Sequence, residues 1–124
     1  MGMITLYGIP NCDTVKKART WLADQGLEVA FHDFKKQGVP AELLPAWIKA
    51  FGRDKIVNRA GNTWRKLDDA AKAAVVDDAA ATALMLAEPS VIKRPVVRWA
   101  DGHWTLGFSA DAFEKSALNA PKKS

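Results

Sequence analysis

The stretch Tyr7-Gly8-Ile9-Pro10-Asn11-Cys12-Asp13-Thr14 joins an apolar run to a helical pattern, and the rest of the chain is arranged around it. Residues 3–7 are mostly apolar or β-branched and predict a short buried strand, which the glycine and the first proline end. Apolar residues then recur at helical spacing and predict a helix to about residue 25. A polar residue beside the cysteine is expected to cap this helix: Asn11, Asp13 or Thr14.

Cys12, the only cysteine of the sequence, therefore stands where a strand ends and a helix begins. A helix N-terminus presents unpaired backbone N–H groups and the positive end of the helix dipole. Both stabilise the thiolate, which is the nucleophilic form of cysteine. Lys16, one helical turn further on, is a candidate supporting cation. The position predicts a reactive nucleophile, whereas a cysteine elsewhere is often only a small buried apolar side chain.

The residues after this helix predict a βαβ unit followed by a helical region. Alternating apolar and polar residues over 27–34 indicate a second strand, parallel to the first. One helix is expected to begin at Pro40, with Gly52 at its end, and two more are expected over 67–76 and 79–88. Residues 35–40 and 61–66 carry turn-forming residues and are predicted loops.

The last part of the chain returns to β-structure. Residues 96–99 and 104–107 predict a hairpin, and Ser109 is expected to cap a final helix to about Leu118. The order β-α-β, several helices, then β-β-α predicts an α/β chain with a thioredoxin-like fold and a helical insertion. We expect one domain over residues 3–118 and a flexible basic tail over 119–124.

Composition restricts the classes of function. The chain has 124 residues, of which 48% are hydrophobic and 26% charged, and these values are typical of one soluble globular domain. No apolar run is long enough to cross a membrane, no signal peptide is recognisable, and a single cysteine cannot form an internal disulfide, so a cytoplasmic location is expected. No His, Cys and carboxylate cluster has metal-ligand spacing, so we expect no metal and no bound cofactor. The net charge of +4 favours small anions, and direct nucleic-acid binding is not expected.

Four motifs resemble the arsenate reductase (ArsC)/Spx family, most closely its YffB-like branch; they span residues 8–18, 58–59, 63–67 and 92–95. The resemblance implies a thioredoxin-like fold with a helical insert and a nucleophilic cysteine after the first strand, which is Cys12 here. It also implies arginines that hold an oxyanion. Arg94 and Arg59 match two of them, whereas residues 104–109, where the third family arginine lies, contain none.

The YffB-like branch implies a glutathione-dependent thiol oxidoreductase, with glutathione as thiol co-substrate and glutaredoxin as a further partner. Cys12 and Arg94 are then the catalytic residues. Five residues are expected to bind glutathione or substrate: Asn11, Asp13, Lys16, Arg59 and Pro95.

Two alternatives stay open. One is an Spx-like adapter that binds RNA polymerase, although Val15 stands where Spx has the second cysteine of its redox switch. The other is a true glutaredoxin-linked arsenate reductase, in which Lys66 or Arg98 replaces the third arginine. His32 and His103 are expected to be structural or exposed to solvent, and Trp64 is expected to pack against the insertion.

Overall fold

Four strands form one mixed sheet in the computed structural model, which describes residues 3–118. The strand order is β2-β1-β3-β4, where β1 and β2 are parallel and β3 is antiparallel to both β1 and β4. The strands are β1 (Ile4–Gly8), β2 (Val29–Asp33), β3 (Val96–Arg98) and β4 (Trp104–Leu106). The sheet confirms the predicted thioredoxin-like arrangement.

Eight α-helices lie within residues 3–118: α1 (Asp13–Asp24), α2 (Phe34–Gln37), α3 (Leu44–Phe51), α4 (Arg53–Ile56), α5 (Asn62–Arg65), α6 (Asp69–Ala73), α7 (Asp78–Ala87) and α8 (Ala110–Ser116). Two 3-10 turns, Ala41–Leu43 and Pro89–Val91, precede α3 and follow α7. None of the helices described is long and apolar enough to span a bilayer.

Contacts divide the chain into two compact units. The sheet unit comprises Met1–Gly38 and Arg94–Ser124, of which residues 3–38 and 94–118 are described, and the insertion unit comprises Val39–Lys93. The predicted tail over 119–124 lies outside the described residues. The expectation of one domain over 3–118 remains a prediction.

The core of the sheet unit lies between one face of the sheet and the helices α1 and α8. Its fully buried members include Leu6 from β1, Val97 from β3 and Phe113 from α8. The ring of Phe113 meets that of Trp99 edge-on, with the centroids 5.0 Å apart. Val15, Ala18 and Leu22 form the buried stripe of α1, as their spacing of three and four residues predicts.

The insertion unit has its own buried residues. Leu44, Trp47 and Ile48 form the buried face of α3, and Met85 is fully buried on α7. A short antiparallel bridge between Val57 and Ile92 ties residues 56–58 to residues 91–93. Buried apolar side chains are therefore found in this unit as well as in the sheet unit.

Several sequence-based boundaries were wrong, because short helices carry no periodic pattern. Both predicted loops, 35–40 and 61–66, contain single-turn helices, α2 and α5, and α4 was not predicted. Asp33 caps α2, since its Oδ1 accepts a hydrogen bond from the Lys35 N–H at 2.8 Å. Ser109 caps α8 as expected, through the N–H group of Ala112, and Asp77 caps α7 through the N–H group of Ala80.

Candidate active site around Cys12

Cys12 is the N-cap residue of α1, so the expected capping by a polar neighbour was wrong. Its backbone is extended, with φ −95° and ψ 126°, and the Lys16 N–H donates to its carbonyl oxygen at 2.9 Å. The thiol makes no standard capping hydrogen bond. Its sulfur nonetheless faces the N–H groups of Val15 and Thr14, which stabilise its anionic form. The thiol is half-buried and free of any disulfide.

The end of β1 lies close to the first turn of α1. A Cβ atom at Gly8 would lie only 2.8 Å from Cγ2 of Val15 and 3.9 Å from Cβ of Arg94. The distance to Val15 is too short for a side chain at position 8 without a shift, whereas the distance to Arg94 is an ordinary van der Waals contact. The absence of a side chain at Gly8 therefore lets the end of β1 approach the first turn of α1 closely.

Arg94 is the side chain that the fold brings to the thiol. It immediately precedes β3, which pairs with β1, and its guanidinium donates a hydrogen bond to the Cys12 sulfur. The Arg94–Pro95 peptide bond is cis, Pro95 is buried, and its carbonyl accepts from the Gly107 N–H at 2.8 Å. The pairing of β1 with β3 therefore brings Cys12 together with Arg94 and Pro95, although Cys12 and Arg94 are 82 positions apart in the sequence.

The pKa of Cys12 lies below its ordinary value. Burial of the sulfur raises this pKa, but four favourable effects together outweigh burial. They are the hydrogen bond from the Val15 N–H, the hydrogen bond and the positive charge of Arg94, and the hydrogen bond from the Thr14 N–H. The site consequently favours a thiolate, the form that attacks sulfur or an electrophilic centre.

The groups that lower this pKa are backbone N–H groups and Arg94, and the expected role of Lys16 as a supporting cation remains a prediction. Its side chain is exposed and lines a groove between α1 and β2. Asn11 and Asp13 are also exposed and flank the thiol in the sequence. Their expected role in binding glutathione or substrate, like that of Lys16 and Pro95, remains a prediction.

Arg59 belongs to the insertion unit, where its partners are defined. Its guanidinium Nη2 lies 2.8 Å from Oδ1 of Asp54, and its Cζ lies 5.1 Å from the centroid of the Trp64 ring. Trp64 is buried and Arg59 is about half-exposed. The ring and the carboxylate thus both contact the guanidinium. Sequence reasoning missed Asp54, which had no recognisable signal.

The two histidines have structural contacts. His32 is hydrogen-bonded through Nε2 to the Gly38 carbonyl at 2.8 Å. His103 is hydrogen-bonded to the Asp101 carboxylate and to Ser116 Oγ, 3.1 Å away, and it stacks on Trp99. No group of three or more metal-ligating side chains comes together among residues 3–118.

A sheet of this topology with a half-buried, arginine-paired cysteine at the start of its first helix defines a thioredoxin-like thiol protein. The ArsC family model matches residues 7–116, so the chain belongs to the ArsC family. It is an arsenate reductase-like member, as the resemblance noted above implies.

Three relatives illustrate this similarity. An uncharacterized protein of Haemophilus influenzae is 40% identical over 112 residues, which cover 90% of this chain and 96% of the relative. The solved structure named YFFB (PA3664) protein is 47% identical, covers 92% of this chain and 98% of its own, and has a TM-score of 0.86. An arsenate reductase (ArsC) related protein from Brucella melitensis is 46% identical, covers 94% and 95%, and has a TM-score of 0.72.

Proposed function

We propose that this protein is a glutathione-dependent thiol oxidoreductase in which Cys12 is the only nucleophile. The observation that carries the proposal is the sulfur of Cys12, which is paired with Arg94 and faces the helix N–H groups in a chain without a second cysteine. A thiolate that cannot be resolved internally needs an external thiol to complete a catalytic cycle. Glutathione is the simplest such thiol in a reducing compartment.

The cycle consists of two thiol–disulfide exchanges. The Cys12 thiolate attacks the glutathione sulfur of a mixed disulfide, so that a Cys12–glutathione bond forms and the substrate leaves as a thiolate. The thiolate of a second glutathione then attacks the glutathione sulfur of this adduct, which releases glutathione disulfide and restores Cys12. The mixed disulfide and one glutathione are thus converted to a free thiol and glutathione disulfide, and electrons and protons balance.

Arg94 has two roles in this cycle. It stabilises the Cys12 thiolate as the attacking group in the first exchange and again as the leaving group in the second. Its planar fork also suits a carboxylate of glutathione, which it can hold in bidentate fashion. Arg59, which contacts Asp54 and Trp64, is the second proposed carboxylate-binding residue, and the exposed Asn11, Asp13 and Lys16 are further proposed binding residues.

Turnover of a glutathione mixed disulfide tests the proposal. Glutathione disulfide formation is measured for the wild type, Cys12→Ser and Arg94→Ala, with Arg98→Ala as a matched loss of an exposed arginine nearby on β3. We expect no turnover from Cys12→Ser. We expect a loss of roughly 10- to 150-fold in kcat/KM from Arg94→Ala, since a hydrogen bond to a charged group contributes about 1.5–3 kcal/mol and each 1.36 kcal/mol is tenfold in rate. Full activity of Cys12→Ser, or equal losses from both arginine variants, would contradict the proposal.

Arsenate reduction is the second candidate, because the chain is arsenate reductase-like and Arg94 can hold an oxyanion beside the thiolate. Cys12→Ser and Arg94→Ala are therefore assayed with arsenate, glutathione and glutaredoxin. Arsenate turnover that depends on Cys12 and exceeds mixed-disulfide turnover would assign this function instead. The absence of arginine from residues 104–109 favours the thiol reaction.

A further inference from the structure

A groove runs between α1 and the edge strand β2, wholly within the sheet unit. It has a volume of about 630 Å³ and is lined on the helix side by Lys16, Arg19 and Thr20. Val29 and Phe31 line it on the strand side, and both side chains are only half-buried. The groove begins one helical turn from Cys12, because Lys16 is four residues further along α1.

The cations of the groove have no anionic partner among residues 3–118. Neither Lys16 nor Arg19 takes part in any of the ion pairs found there. The Arg19 guanidinium lies over the Phe31 ring, with Cζ 4.2 Å from the ring centroid. This contact orients the guanidinium but leaves its charge unneutralised, so the helix side of the groove presents two positive charges above an apolar floor.

The strand side offers backbone groups as well as side chains. β2 ends the sheet and pairs only with β1, so the backbone groups on its outer edge have no strand partner within the described chain. Such an edge can accept an extended peptide as an added strand. The Asp33 N–H, at the end of β2, is already taken by Oε1 of Gln37, so the accessible part of the edge is 29–32.

We propose that this groove docks an extended, acidic segment of a partner protein as an added strand along β2, with its carboxylates on Lys16 and Arg19. Charge complementarity favours an acidic occupant, the open strand edge favours a peptide, and the half-buried Phe31 favours apolar side chains between the acidic ones. The docking itself does not depend on the chemistry of Cys12. That the partner brings a cysteine to Cys12 rests on the proposed function.

The groove also sets the direction of the segment. The helix α1 runs from Cys12 away from the active site, antiparallel to β2, so Lys16 lies at the active-site end. Glu28, which precedes β2, lies at the opposite end and also lines the groove. Acidic residues of the partner are therefore expected next to its reactive cysteine, because Glu28 repels them at the far end.

Titration of the reduced, full-length protein with a short cysteine-free peptide tests the docking. The probe alternates glutamate with valine and phenylalanine, and its counterpart carries glutamine in place of glutamate. Amide chemical shifts are expected to change at residues 16–20 and 29–32. The acidic probe should bind about tenfold more tightly than the glutamine peptide, as expected for complementary charges on one surface.

Paired charge reversals, one in the groove and one on α8, distinguish the effect of the groove on peptide affinity from the effect of the net charge. Arg19→Glu should weaken binding about fivefold, whereas Lys115→Glu, the same change on exposed α8, should leave it within about twofold. Glu28→Lys should tighten binding and Glu114→Lys should not. The gain in Glu28→Lys cannot result from a folding defect, so it keeps the test valid if Arg19→Glu folds poorly.

Three outcomes would overturn the docking proposal. The first is that the groove variants and the α8 variants change peptide affinity equally. The second is that the peptide changes amide chemical shifts only outside the groove. The third is that an oligothymidylate displaces the peptide with the same dependence on Arg19, which would assign a nucleic acid as the occupant. Peptide binding without mixed-disulfide turnover would retain the docking and reject the proposed function. Mixed-disulfide turnover with no peptide binding would retain the proposed function and reject the docking.

Discussion

At Cys12 the balance of local effects decides whether the residue is a nucleophile. Burial alone would raise the pKa of the thiol, and the N–H groups of α1 and Arg94 reverse that effect. Since an ordinary cysteine titrates at about 8.5, a lowered pKa raises the thiolate fraction near neutral pH. The arginine is the one contributor that a side-chain substitution removes without altering the helix.

The pH dependence of Cys12 alkylation is the corresponding prediction. The midpoint of the rate profile with iodoacetamide should lie below the ordinary value of about 8.5 in the wild type. It should rise in Arg94→Ala, because the guanidinium no longer stabilises the thiolate, and stay unchanged in Arg98→Ala. A wild-type midpoint at or above the ordinary value would show that burial prevails and that the thiol is not activated.

Asp101 provides a second prediction at the residue scale, because the His103 backbone N–H, 3.0 Å away, and the His103 ring lower the pKa of its carboxyl group. A carboxyl pKa lower in the folded than in the unfolded state stabilises the fold above the unfolded value, which is about 3.9 for aspartate. This contribution disappears as the pH falls through the lowered folded pKa.

The free energy of unfolding should therefore differ between wild type and Asp101→Asn near neutral pH, with the wild type more stable. The two curves should converge in acid, below about pH 4. Asp111→Asn, an exposed carboxylate on α8, serves as control and should show a smaller pH-dependent difference. A gap that is constant with pH would mean that the asparagine acts through geometry and not through the lost charge.

At the scale of the elements, the sequence was sufficient wherever a pattern repeats. The spacing of Val15, Ala18 and Leu22 predicted α1 nearly to its last residue, and alternation predicted β2. The single-turn helices α2, α4 and α5 have too few residues to show a period. Asp33 caps α2, whereas α4 and α5 begin without a side-chain capping hydrogen bond. The contact between Cys12 and Arg94 depends on β1 pairing with β3, which the predicted thioredoxin-like order of elements implies but which no local pattern specifies.

The groove shows the same limit on sequence-based prediction. Arg19 lies among the polar residues of α1 and looks like an ordinary solvent-facing cation. Its significance depends on Phe31, which β2 places 4.2 Å beneath the guanidinium. The detectable signal was a pair of cations three residues apart on one helix, at positions 16 and 19, but this spacing is common on exposed helix faces.

Substitution of Gly8 tests the close approach of the end of β1 to the first turn of α1. In Gly8→Ala the new methyl group would meet Val15 Cγ2 at 2.8 Å, so the side chain or the first turn of α1 must shift. We expect a loss of about 1–3 kcal/mol in the free energy of unfolding, the usual cost of overpacking. The alkylation midpoint of Cys12 should also move, because the Val15 N–H helps to stabilise its thiolate.

The double variant Gly8→Ala, Val15→Ala is the control for this clash. Val15→Ala alone removes buried methyl groups and lowers stability, but it also makes room for the new methyl group at position 8. The two losses should therefore be clearly less than additive. Additive losses would show that Gly8 matters for its backbone conformation and not for its close approach to Val15.

At the scale of the whole molecule, the net charge of +4 favours anions that approach the thiolate. Iodoacetate and iodoacetamide test this expectation, because they share a leaving group and differ in charge. We define the preference as the alkylation rate with iodoacetate divided by the rate with iodoacetamide. At low salt this ratio should be about threefold or more higher for Cys12 than for free cysteine, since attraction to positive charge raises encounter rates. Raising the ionic strength from about 0.01 M to about 1 M should remove most of this preference, because the Debye length falls from about 30 Å to about 3 Å.

Two variants show how much of the preference for iodoacetate comes from Arg94 and how much from charges elsewhere on the protein. Arg94→Ala should reduce the ratio even in high salt, because a charge in contact with the sulfur is poorly screened. Lys115→Glu on α8 should reduce it only at low salt, through the summed field. A preference for iodoacetate that neither salt nor the loss of Arg94 changes would mean that the backbone N–H groups at the start of α1 select the anion by themselves.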